Sequence, residues 1–277
     1  MQDKFINGQA RHQIPMNQEF DFDAACVKYA AKWNVLAPVH PKDFIMDFVL
    51  NHPGFTKSPE AAIDYYFRSG HESSEMFQAV VDKDLELNGS QSVLEFASGY
   101  GCVTRHLLKA RRFKLTACDI HQEANDFNAT KLEATTMASC AVPEEFDAAG
   151  MRYDLVFALS FFSHMPKATW TRWLQALFNV VKPGGYLLFT THGPTSLRKM
   201  FSAVRNVSLD DEGFYFHADS EQKDLETSQY GTTITDNRFV IEQLSKLPRN
   251  CELRLLRAGI WWGHQDLYVL AALPSSQ

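Results

Sequence analysis

The chain has 277 residues, 45% hydrophobic and 22% charged, with 33 acidic side chains against 27 basic ones. That composition fits one α/β domain with additions. The net charge of −6 excludes a general nucleic-acid binder, which needs a basic surface to neutralise phosphates. The five cysteines, Cys26, Cys102, Cys118, Cys140 and Cys251, are odd in number and lack CxxC spacing. They read as free thiols in a reducing compartment. Residues 1–17 lack the basic-then-apolar order of a secretion signal, and no run approaches the ~20 apolar residues of a membrane span. A cytoplasmic protein without membrane contact is expected.

Residues 1–90 read as a helical region that caps the substrate side of the remaining chain. Helices are predicted over Asp23–Trp33 and Pro41–Leu50. Ser58-Pro59-Glu60 starts a third with a capping hydroxyl and proline at its first position. It is expected to run to Arg68 and break at Ser69-Gly70, with Glu72–Leu87 leading to the first strand.

From residue 91 to 277 strands and helices alternate, which predicts a doubly wound, mostly parallel sheet covered on both faces. The predicted strands are Ser92–Phe96, Leu115–Asp119, Thr135–Ser139, Tyr153–Ser160, Tyr186–Thr191, Glu252–Ile260 and Leu267–Leu273. A helix over Cys102–Lys109 follows the first. Another, Ala168–Val181, meets the stop signal Lys182-Pro183-Gly184-Gly185. The six residues from Trp261 to Asp266 are too short for a parallel crossover, so the seventh strand runs antiparallel. About 60 residues separate strands five and six, far more than one crossover needs. Residues 197–236 are read as an insertion: the end of a helix over Phe201–Val207, then a β-hairpin lid. Its strands are Gly213–His217 and Gly231–Thr235, around a polar turn from Ser220 to Ser228. Asn237–Lys246 is the crossover helix.

The most informative stretch is Val93 to Gly101, an apolar run that passes Glu95 and ends in the turn Ala97-Ser98-Gly99-Tyr100-Gly101. A strand delivering a glycine-spaced turn to a helix start offers unpaired N–H groups to a nucleotide-like ligand. Asp119 closes the next strand, about 20 residues on, where a dinucleotide fold places its ribose-binding acid. Thr104 stands where a dinucleotide fingerprint wants a third small residue.

The form Glu95-x-Ala97-x-Gly99-x-Gly101 instead resembles motif I of the class I S-adenosylmethionine-dependent methyltransferases, with Ala97 at a position usually held by glycine. The seven-stranded sheet with only its last strand reversed is what this resemblance implies. It further implies S-adenosyl-L-methionine as cofactor. Ala97, Ser98, Gly99 and Gly101 would cradle its methionine part and ribose, with Glu95 beneath the amino end. Asp119 and Ile120 would meet the ribose, Ser139 would lie level with the adenine, and Ser160 would open the loop that lines the methyl group. Tyr65 to His71 resembles a Tyr-x-x-Ser-Gly stretch that closes over the methionine end. This brings Gly70 to the cofactor, with Arg68 or His71 as carboxylate partner, or else marks a plain helix break.

His164, His192 and His264 follow strands four, five and six, so the topology brings all three to one sheet edge. Histidine suits proton removal at neutral pH. His164 or His192 is favoured as general base. Aromatic residues of the edge and hairpin, among them Phe161, Tyr215, Tyr230 and Trp262, would wall the acceptor pocket. No metal is required. The expected function is methylation of a small polar acceptor, most simply the hydroxyl of a sugar or other small metabolite. The alternatives are a nonenzymatic cofactor-binding or partner-binding subunit of the same fold, or a nicotinamide-dependent oxidoreductase.

Overall fold

In a computed structural model, residues 20–52, 58–87, 89–201, 207–219, 222, 224–247 and 250–274 are described. Three helices come first: α1 (Phe22–Trp33), α2 (Phe44–Asn51) and α3 (Pro59–Ala79). Each starts where a side-chain oxygen takes up an orphan N–H group. Asp21 accepts from Ala24, Asp43 from Ile45 and Met46, and Ser58 from Ala61. Asp43 being the cap explains why α2 begins at Phe44 rather than at Pro41. The three helices bury a shared apolar cluster that includes Cys26, Tyr29, Met46, Ile63, Tyr66 and Phe67.

α3 does not break at Ser69-Gly70. It runs on to Ala79 and passes into a wide turn over Val80–Asp84. A Cβ at Gly70 would lie 2.2 Å from the carbonyl oxygen of Cys102 and 2.9 Å from the His106 ring. The glycine serves a close approach of helix and loop, and a helix interior tolerates it for that reason.

The strands are β1 (Ser92–Phe96), β2 (Lys114–Asp119), β3 (Thr135–Ala138), β4 (Tyr153–Ala158), β5 (Val181–His192), β6 (Phe214–His217), β7 (Thr232–Thr235), β8 (Cys251–Trp261) and β9 (Gln265–Ala272). Between them lie α4 (Thr104–Lys109), α5 (Gln122–Lys131), α6 (Lys167–Asn179), the single turn α7 (Pro194–Ser196) and α8 (Asn237–Leu244). Seven strands form one sheet in the order β3-β2-β1-β4-β5-β9-β8. β9 runs antiparallel to both β5 and β8, so it alone is reversed, as expected.

Alternate residues of each strand feed two cores. Leu94, Phe96, Val156, Leu187 and Phe189 face α6 and α8, where Trp170, Leu174 and Phe239 meet them. Val93, Leu155, Phe157 and Leu188 face Phe77 and Val81, with Leu107 of α4 beside them. β5 starts earlier than its apolar run and includes Lys182-Pro183-Gly184-Gly185. Gly185 lies so close to β4 that a Cβ would meet the Asp154 carbonyl at 2.6 Å.

The inserted strands β6 and β7 pair antiparallel, from Phe214–Thr235 to His217–Thr232. The hairpin is docked on the loop after β4. The Gly231 N–H donates to the His164 carbonyl at 2.9 Å, and the Thr233 N–H donates to that of Ser163 at 2.7 Å. The predicted helix over Phe201–Val207 falls mostly outside the described residues. Up to Phe201 the chain follows a wide turn from Leu197. No helix among the described residues is long and apolar enough to cross a membrane.

Gly70→Ala should force the loop at Cys102 away from α3. A loss of about 1–3 kcal/mol in urea-unfolding stability is expected, the scale of an overpacked core. An unchanged midpoint would show that the close contact is not a constraint.

Candidate active site

β1 ends at Phe96, and the chain then takes three left-handed steps, at Ala97 (φ 57), Gly99 (φ 54) and Gly101 (φ 81). For alanine that region costs about 1–2 kcal/mol, so the loop is strained at the point where its resemblance to the methyltransferase motif is least complete. The two glycines are required for different reasons. A Cβ at Gly101 would strike Leu132 and Asn128 at 2.3 and 2.5 Å, whereas one at Gly99 would meet nothing within 4 Å. Gly99 therefore presents bare backbone to open space, and beside it the buried Ser98 hydroxyl has no hydrogen-bond partner. Such a cradle fits a nucleoside-bearing ligand.

Asp119, at the end of β2, is aimed at this loop. Its Oδ2 accepts the Gly99 N–H at 2.8 Å. Its Oδ1 accepts the His121 N–H at 2.9 Å and lies 2.8 Å from His121 Nδ1. Asn128 of α5 closes the frame by donating to the Gly99 carbonyl at 2.9 Å. Ile120 stands exposed next to Asp119, and the Ser139 N–H donates to the Asp119 carbonyl at 2.9 Å. Glu95 is buried behind the loop and accepts from Thr104 Oγ1 at 2.8 Å. Thr104 thus fills the place of the missing small residue with a hydroxyl for Glu95. Burial raises the Glu95 carboxyl to about 8, and the Thr104 bond works against the shift.

Gly70 contacts this frame from below, through Cys102. Arg68 and His71 turn to other partners: Arg68 lies 4.0 Å from Glu72, and the His71 ring stacks on Trp33 at 4.1 Å.

The ends of β4, β5 and β9 are joined by hydroxyl and amide groups. The Ser160 N–H donates to Thr190 Oγ1 at 2.8 Å, Thr190 donates to Gln265 Oε1 at 2.6 Å, and Gln265 Nε2 donates to Ser160 Oγ at 2.9 Å. This closed ring fixes the start of the loop that carries His164. The expected convergence of histidines is present: the His164 and His192 ring centroids lie 6.3 Å apart, and those of His192 and His264 lie 5.7 Å apart.

Their tautomers are set by their partners. A carbonyl only accepts, so His164 Nδ1–H donates to the Gly231 oxygen at 2.8 Å, and in the neutral ring Nε2 carries the lone pair. Tyr230 stacks on the same ring at 4.5 Å. Ser196 Oγ gives its proton to the His264 carbonyl at 2.9 Å, so His264 Nδ1 is the donor in its 3.1 Å contact with that hydroxyl. His192 is buried, and its Nδ1 has no hydrogen-bond partner. Burial, then the neighbouring His164 and His264, hold its pKa at about 3. No group of three His, Cys, Asp or Glu side chains among the described residues is disposed to hold a metal ion.

Sequence reasoning missed a buried clamp beneath the loop. Arg105 Nε donates to the Gly101 carbonyl at 2.9 Å, and its Nη1 donates to the carbonyls of Leu36 and Pro38 at 2.8 and 2.9 Å. Its Nη2 reaches Tyr66 Oη at 3.3 Å, and that hydroxyl donates to Asp43 Oδ2 at 2.6 Å. Only Asp43 carried a signal, as an acid before an apolar helical run.

The Glu95 shift has a testable sign. Folded Glu95 keeps its proton up to about pH 8, whereas the free carboxyl loses it near 4.5. Its contribution to stability is full below 4.5 and is lost as pH rises from there through about 8. Without cofactor, Glu95→Gln should flatten this part of the curve and add about 1–3 kcal/mol at pH 8. Urea midpoints at pH 5 and pH 8 that fall in parallel for both proteins would contradict it.

The comparisons with known proteins agree with this fold. Residues 94–187 match the family described as "Methyltransferase domain". No curated protein matches the sequence. Among solved structures, the glycopeptide N-methyltransferase MtfA complexed with S-adenosyl-L-methionine is similar, with a TM-score of 0.53 and 14% identity, covering 74% of this chain and 94% of that one. A methyltransferase from Methanosarcina mazei has a TM-score of 0.50 and 16% identity over 68% and 94% of the two chains. An O-methyltransferase family protein from Burkholderia thailandensis has a TM-score of 0.53 and 12% identity over 94% of this chain and 75% of that one. At these identities the structural likeness speaks for the fold, and the family match covers the part of the chain that holds the glycine loop. The chain thus has the fold of S-adenosylmethionine-dependent methyltransferases, and its residues 94–187 are similar to a methyltransferase domain.

Proposed function

We propose that the enzyme methylates a hydroxyl of a small polar acceptor, such as a sugar or another small metabolite, in the cytoplasm. The observation that carries this reading is the cluster of His164, His192 and His264 at the strand ends. A hydroxyl must give up its proton as it is methylated, and neutral imidazoles can take it. The five free cysteines fit a reducing compartment.

Bound S-adenosylmethionine supplies a methyl group on a positively charged sulfur. Ala97, Ser98, Gly99 and Gly101 would hold it through backbone and hydroxyl groups, and Asp119 would accept its ribose hydroxyls. Ile120 and Ser139 would flank the nucleoside, while Ser160 and Gly70 would set the loops on either side. Glu95 would face the amino end. A cationic partner there would bring Glu95 into its ionised form, because an opposite charge offsets the cost of burial.

At the other end of the site, the lone pair of His192 Nδ1 is buried and unpaired, so it can accept from a seated hydroxyl. His164 has its ring fixed by Gly231 and Tyr230, which reduces the cost of aligning it. These two share the proton acceptance, with His264 completing the wall. Residues 197–236 form the lid over the acceptor, and residues 1–90 form the cap on the substrate side.

Asp119→Ala should weaken S-adenosylhomocysteine binding by about 1–3 kcal/mol in calorimetry, the scale of a lost charge-assisted hydrogen bond. Unchanged affinity would remove Asp119 from the site. His164→Ala and His192→Ala should each lower turnover by about 10²–10⁴-fold with cofactor affinity kept. Full activity in both variants would refute the histidine assignment. A proton acceptor held near 3 works in its neutral form at any higher pH. If His192 is that acceptor, kcat should stay level from pH 8 down to pH 5, and a fall across that range would assign the step to another group.

A further inference from the structure

We propose that His121 is a positioning residue that aims the ribose-binding carboxylate of Asp119 and, through Asp224, ties the insertion to it, so that release of the spent cofactor depends on this bridge. The proposal rests on the cofactor reading above. His121 touches Asp119 twice, through its N–H at 2.9 Å and through Nδ1 at 2.8 Å. On the opposite side of the ring, Nε2 lies 2.9 Å from Asp224 Oδ2, in the turn of the inserted hairpin. Carboxylates only accept, so satisfying both contacts requires a proton on each nitrogen, which is the imidazolium form. The bridge therefore joins two parts of the chain with separate roles. One is the strand end that meets the ribose, and the other is the insertion docked over His164.

The surroundings favour the charged ring. Asp119 faces it from β2, and Asp224 and Gln222 face it from the insertion, with Gln222 Nε2 at 3.5 Å. Glu123 lies nearby on α5, itself paired with Lys42 at 2.6 Å and His40 at 3.4 Å. Phe44 closes the remaining side with its ring 6.1 Å away, and Tyr100 lies within reach of the same carboxylates. Among the described residues of this group Lys42 is the fixed cation, set against three carboxylates. Accordingly the His121 pKa is raised, first by its bond to Asp119, with both acids adding to the shift and burial opposing it.

The bridge is complete while the ring is charged and loses one of its two arms as pH rises through the raised pKa. The test measures dissociation of S-adenosylhomocysteine from the full chain by stopped flow between pH 6 and pH 8.5. The wild-type rate should rise about threefold to tenfold across that range. Asp224→Asn keeps the size of the side chain and removes its charge, at a position whose side chain is 43% exposed. That variant should show the fast rate already at pH 6, and Asp224→Glu should restore the wild-type slope. His121→Gln, neutral throughout, should also lose the slope. The Glu95 proton contributes equally to wild type and Asp224→Asn, so it cancels in the comparison. A wild-type rate and slope in Asp224→Asn, with the ligand bound, would overturn the bridge and leave the cofactor site standing. Failure of the wild type to bind S-adenosylhomocysteine would overturn both.

Discussion

The guanidinium of Arg105 is the contact on which the arrangement depends. It is almost fully buried, and a buried charge costs several kcal/mol unless it is fully hydrogen-bonded. Its partners come from three places: the Gly101 carbonyl of the glycine loop, the Leu36 and Pro38 carbonyls ahead of α2, and the Tyr66 hydroxyl of α3. Asp43 balances the charge at one remove, through Tyr66, while capping α2. The N-terminal helices and the glycine loop therefore share one set of hydrogen bonds. A shift in either would strand a charge in the interior, so the loop is held in its left-handed steps from beneath. Gly70 adds a steric condition to the electrostatic one, because only a residue without a side chain lets α3 approach Cys102.

Glu95 and His192 are driven toward neutrality by burial. Glu95 keeps its proton to about pH 8, and His192 sheds its own above about 3. Burial of these two groups strengthens any later electrostatic contact with them, since little solvent reaches them to screen it. The bridged His121 is the contrasting case, with two carboxylates raising the pKa of its ring.

How much of this is legible in the sequence depends on where each residue finds its partner. The strands β1, β2, β4 and β9 lie close to where their apolar runs place them, because burial on both faces leaves a continuous hydrophobic signature. The reversal of β9 is dictated by a connection too short for a crossover. The meeting of the three histidines is a matter of topology, since successive strands deliver their ends to one edge. Gly70 reads as a helix break because a glycine that ends a helix and one that admits a neighbour are identical in one dimension. Arg105 is invisible for a related reason: its acceptors are mostly main-chain carbonyls, which every residue carries and no pattern marks. Asp224 is hidden within a polar turn, where composition says nothing about which acid reaches across the molecule.

The docking of the hairpin on the loop after β4 has a kinetic corollary. Gly231 and His164 exchange hydrogen bonds in both directions, main chain to main chain and ring to main chain. Swinging the hairpin outward would release the imidazole from its tautomer, so under the proposed reading an open gate and a primed base would be mutually exclusive. Admission of the acceptor and readiness for chemistry then become sequential stages of one cycle. Because the hairpin's hydrogen-bonding share of this coupling at Gly231 is main chain, hairpin side chains other than Tyr230 and Thr233 are free to diversify without disturbing the timing.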